Sequence, residues 1–96
     1  MKVIWTPEAE RDRLEILNYI AADNKASAAR LNLYFEKAAD RVANFPEAAR
    51  PGLISGTREL IPHENYRLVY QVREDEIWIL SLTHVARQWP PATDSS

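Results

Sequence analysis

Tyr66-Arg67-Leu68-Val69-Tyr70-Gln71-Val72-Arg73 runs through Glu74-Asp75 into Glu76-Ile77-Trp78-Ile79-Leu80-Ser81-Leu82. Tyr66, Leu68, Tyr70 and Val72 take every second position, the pattern of a strand with one face on a core and the other more polar. Glu74-Asp75 turns the chain. The run after it is apolar at both parities, which marks a strand buried on both faces and central in its sheet.

Working upstream, residues 57–61 read as a weaker strand ending at Pro62, and residues 47–55 read as a loop because Pro51 and Gly52 interrupt any regular element. Before the loop the period changes. Ala28, Leu31, Phe35, Ala38, Val42 and Phe45 recur at steps of three and four, so a helix precedes Pro46 and closes by about Asn44. Asp23 and Asn24 supply its turn and cap. A first helix spans residues 7–22, opened by Thr6 as cap and Pro7 at the first helical position, and Val3-Ile4-Trp5 is a short strand before it. The order is β-α-α-β-β-β: an α+β fold in which an N-terminal helical hairpin packs on one face of a small, mostly antiparallel sheet. Leu33 and Tyr34 fall off the apolar stripe of the second helix and are expected on its surface.

With 96 residues the chain has the length of one domain, expected over residues 1–90, with a mobile tail at 91–96 that carries no large apolar side chain. There is no cysteine, which removes disulfides, thiolate chemistry and cysteine-type zinc sites and fits a reducing cytoplasm. No apolar run is long enough for a signal peptide or a membrane span. The net charge of −2 has the wrong sign for a protein whose affinity comes mainly from neutralising many phosphates.

If Tyr66, Leu68, Tyr70 and Val72 face the helices, the period of two sends Arg67, Gln71 and Arg73 to the opposite face. Arg58, Glu59, His63, Glu64, His84 and Arg87 are the polar residues able to join a site there. Arg67, in mid-strand, needs solvent or an anionic partner. His84 has the titration range of a general acid or base, and Trp89 before Pro90-Pro91 reads as an apolar plug. A glycine-rich phosphate loop, a metal-ligand cluster and a nucleophile elbow are all missing from the sequence, so neither metal nor cofactor is expected.

Gly56-Thr57-Arg58-Glu59-Leu60, Tyr66-Arg67-Leu68-Val69-Tyr70-Gln71-Val72 and His84-Val85-Ala86-Arg87-Gln88-Trp89 together resemble the signature of RelE/ParE-superfamily toxins of type II toxin–antitoxin systems. Trp5-Thr6-Pro7-Glu8-Ala9 and the Phe45-Pro46 helix stop agree with it. The resemblance implies a bacterial toxin neutralised by a cognate antitoxin, a small protein with a DNA-binding half and a segment that folds on the toxin. Leu33 and Tyr34, beside the groove between hairpin and sheet, are the expected antitoxin contacts.

The resemblance leaves two targets open. RelE-type toxins cleave messenger RNA on the ribosome without metal, whereas ParE-type toxins poison DNA gyrase. For the ribonuclease, Arg67 corresponds to a phosphate-binding arginine, Arg87 supplies a second cation, and His84 or Glu64 carries the proton. Against it, the segment 47–57 has Arg50 as its one basic residue where the RelE pattern has lysines, and Trp89 stands near the place of a tyrosine. A tryptophan does not transfer a proton as a phenol does. The helical hairpin also resembles ParE. The expectation is therefore a gyrase poison that contacts its target through Arg58, Arg67, Arg87 and Trp89, with the ribonuclease as the alternative and a degenerate toxin acting only as an interaction module as a third reading.

Overall fold

Two local devices start the helices. The Thr6 hydroxyl accepts from Ala9 N at 3.2 Å and donates to Ile79 O at 2.8 Å, so one side chain caps α1 (Pro7–Ala21) and ties its start to the sheet. Asn24 Oδ1 accepts from Ser27 N at 3.0 Å and opens α2 (Lys25–Asn44). Such caps satisfy amides that have no partner inside the helix. The computed structural model describes residues 1–63 and 65–85, Pro62 and His63 by their backbone. The expectations for Glu64, Arg87, Trp89 and the tail 91–96, and for the His63 side chain, fall outside what is described.

The strands are β1 (Lys2–Trp5), β2 (Arg50–Pro51), β3 (Arg58–His63), β4 (Tyr66–Arg73) and β5 (Glu76–His84), in the sheet order β1-β5-β4-β3-β2. β1 lies parallel to β5 and every other pairing is antiparallel, which makes β5 an inner strand as its two-sided apolarity required. The α1–α2 hairpin covers one face. Phe35, Ala38 and Val42 of α2 and Ala9 of α1 meet Leu68, Tyr70, Ile77, Ile79 and Leu82 in a single core.

Three details differ from the sequence reading. Residues 50 and 51 pair with Glu59 and Arg58 as a two-residue edge strand inside the stretch expected to be loop; Pro51 is tolerated because an edge strand has a side with no ladder to feed. β3 passes through Pro62 to His63, where its register with β4 slips. The larger difference is in β5: Val69 pairs with Ser81 and Tyr70 with Ile79, so Leu80 is an extra residue and the strand's parity switches there. Ile77 and Ile79 before the switch and Leu82 after it therefore all reach the same core.

Just past that bulge, β1 has ended and the outer edge of β5 is open. Asp12 of α1 fills the gap, its Oδ2 accepting from Leu82 N at 3.0 Å and from Ser81 Oγ at 3.4 Å. An amide freed by the bulge thus finds a partner in the helix above it.

Candidate functional site

On the face of the sheet away from the helices, period two aligns Arg67 and Val69 of β4 with Glu59 of β3, which lies opposite Val69. The Glu59 side chain is only 3% exposed, and its Oε1 stands 3.4 Å from both Arg67 Nε and Arg50 Nη2. Its Oε2 accepts from Leu53 N at 3.1 Å. Arg67 therefore has its anion within the chain. Its Nε, however, makes no hydrogen bond of good geometry, and neither does Oγ1 of Thr83, the residue paired with it across the β4–β5 ladder.

His84 is elsewhere. Its partner across the ladder is Tyr66, and the two rings meet edge to face at 5.4 Å on the helix side, where Tyr66 also meets Phe35 at 5.6 Å. His84 borders a cleft of about 320 Å³ between α1 and the end of β5, with Asp12, Glu15, Tyr19 and Tyr66 among its walls. Burial raises the Tyr66 phenol above its ordinary range. Arg67 and His84 leave the sheet by opposite faces.

Arg58 is turned to the helix side, opposite Tyr70. Its Nη1 donates to Ala49 O at 2.8 Å and to Glu47 O at 3.3 Å, while Tyr70 Oη donates to Pro46 O at 2.7 Å. Together they clamp the segment after α2. Arg58 and Arg67 thus do not share a face. Leu33 and Tyr34 are 49% and 48% exposed, as their place off the stripe implied, and with Arg30 and Lys37 they line a shallow cavity of about 170 Å³ on α2. The sequence reading missed Glu59 as the centre of the network and the apolar pair Leu53-Ile54, whose signal was two branched aliphatic residues in a loop bounded by Gly52 and Gly56. Among the described residues no group of three His, Cys, Asp or Glu gathers to hold a metal, and no helix is long and apolar enough to cross a membrane.

The two-helix hairpin on one face of a five-stranded mixed sheet agrees with what the family comparison shows: the chain is a RelE/ParE-superfamily toxin of a type II toxin–antitoxin system. Within that class it belongs to the ParE toxin family, whose model, described as the ParE toxin of the type II toxin–antitoxin system parDE, matches residues 3–89. The chain is 37% identical over 90 residues to the Y4kP protein of Sinorhizobium fredii, covering 93% of each. It is 34% identical over 87 residues to the toxin RelE2 of Caulobacter vibrioides, covering 90% of this chain and 97% of that one. Among solved structures, the chromosomal ParDE system of P. aeruginosa is similar with a TM-score of 0.76 at 22% identity, over 88% of this chain and 96% of that one. A conserved Helicobacter pylori protein has a TM-score of 0.59 at 21% identity, over 90% and 96%. Those two likenesses carry the fold.

Proposed function

We propose that this toxin arrests growth by binding and poisoning DNA gyrase, not by cutting RNA. The observation that carries the reading is the separation of Arg67 from His84. Metal-free cleavage of RNA needs a base at the ribose hydroxyl, an acid at the leaving oxygen and a cation at the phosphate, all within hydrogen-bond reach of one another's substrate atoms. Here the cation is held against Glu59 on one face and the imidazole stands on the other. Membership of the ParE family supports the same direction. Poisoning by contact needs surface complementarity and no catalytic residue.

The test uses toxin purified free of antitoxin. Inhibited supercoiling with accumulation of cleaved DNA is expected, and messages on programmed ribosomes should stay intact. The His84→Ala variant, which leaves the Arg67–Glu59 pair in place, should retain gyrase poisoning.

One observation favours the ribonuclease. Arg67 Nε and Thr83 Oγ1 are neighbouring buried polar atoms without hydrogen-bond partners, and a phosphate oxygen would satisfy both. Message cleavage that an Arg67 substitution abolishes would establish that reading instead.

The neutralising partner is an antitoxin whose folding segment lies along α2, against Leu33 and Tyr34. Arg30, Lys37 and Arg41 line the flank of α2 next to Tyr34, which suits a segment that combines acidic with apolar residues. Leu33→Ser/Tyr34→Ser should weaken the complex in a titration with antitoxin, and an unchanged affinity would remove these contacts from the interface.

A further inference from the structure

We infer that the loop 52–57, between β2 and β3, is a rigid anchor that inserts Leu53 and Ile54 into an apolar pocket rimmed by carboxylates on the toxin's protein target. The inference rests on the reading that the toxin acts by binding a protein. Leu53 is 72% and Ile54 41% exposed, on a turn held by internal hydrogen bonds. Gly52 N donates to Thr57 O at 2.8 Å, and Thr57 donates to Ile54 O through its amide at 3.1 Å and its hydroxyl at 2.6 Å. Leu53 N donates to the buried carboxylate of Glu59.

The glycines are required by this shape. A Cβ on Gly52 would collide with the Thr57 hydroxyl, and Gly56 has φ +83°, in the left-handed region. Isolated exposed aliphatic residues are ordinary on a surface. This pair is different because a buried carboxylate with two arginines, a costly arrangement in a small domain, fixes the loop that displays it. Holding apolar side chains outward on a preset backbone lowers the ordering cost of binding.

Charge selects the occupant. From 48 to 57 the one charged residue is Arg50, whose side chain is 62% exposed beside the loop, while Arg58 is turned to the helix side. The nearest carboxylate, Glu59, is buried. With Glu59 paired to both Arg50 and Arg67, the loop's support carries one excess positive charge, exposed at Arg50 beside an apolar tip, the complement of an apolar pocket with an acidic border.

The experiment measures growth arrest on expression without antitoxin, together with gyrase poisoning by the purified proteins. Leu53→Ala/Ile54→Ala should melt as the parent does, keep its antitoxin affinity, and need at least about tenfold more protein for half-maximal poisoning, with growth arrest lost in parallel. Leu53→Glu should be weaker than Leu53→Lys. A double variant as potent as the parent in both assays overturns the anchor. Lys and Glu variants of equal potency overturn the acidic rim, and a Lys variant more potent than the parent would assign the loop to a phosphate backbone instead. If the parent arrests growth but leaves gyrase untouched, the gyrase reading fails while growth arrest by the double variant still decides the anchor.

Discussion

Glu59 concentrates more of the described polar chemistry than any other candidate singled out from the sequence. It lies opposite Val69, pairs with both Arg67 and Arg50 and holds the amide of Leu53. Removing one member of a buried pair leaves the other charge unsolvated, so Glu59→Ala should destabilise the protein by about 3 kcal/mol in urea unfolding. The Glu59→Ala/Arg67→Ala double variant should lose less than the sum of the single losses. Arg67 was recognisable as a residue in need of solvent or an anion; that the anion is Glu59 depends on the β3–β4 register, which slips between Leu60 and His63 around Pro62 and which strand pattern alone does not set. Tyr70 gives a second test. Burial raises its phenol above the ordinary range, the Arg58 charge and the Ala49 backbone pulling back against that. A proton held more tightly when folded gives stability that is whole below about pH 10 and lost as pH rises above it. Tyr70→Phe should therefore blunt the alkaline loss of stability, while costing about 1 kcal/mol at neutral pH for the bond to Pro46 O.

The helices were readable from steps of three and four and from the Thr6, Asn24 and Pro46 signals, and their bounds follow those signals closely. Strand β4 was equally plain. The parity switch at Leu80 was hidden because Ile77, Trp78, Ile79, Leu80 and Leu82 are apolar at both parities, so the residues on either side of the bulge look alike. The two-residue β2 is too short to leave any pattern. Asp12, an ordinary solvated position in the helical period, proves to be the partner of the amide that the bulge frees. Asp12→Ala should cost about 1–2 kcal/mol and speed amide exchange at Leu82, whereas unchanged exchange would mean that solvent or a neighbour replaces the carboxylate.

At the scale of the molecule, the sequence's β-α-α-β-β-β order becomes a sheet with one face under the helices and the other turned away from them, because the hairpin carries the chain across the sheet from β1 at one edge to β2 at the other. This division separates the residues that looked like one site. Arg67 and Glu59 belong to the face away from the helices, His84 and Arg58 to the helix side, and the Leu53-Ile54 tip stands on the loop that Glu59 fixes. Adjacent positions in a strand are easily read as neighbours in chemistry, yet they are on opposite sides of a sheet. Tyr66-Arg67 against Thr83-His84 is such a case. From this division follows the proposal of a binding inhibitor. Its most direct test is gyrase supercoiling with DNA-cleavage readout at micromolar toxin free of antitoxin. Loss of supercoiling with trapped, cleaved DNA is the predicted result; unaffected gyrase beside cut messages on programmed ribosomes would contradict it.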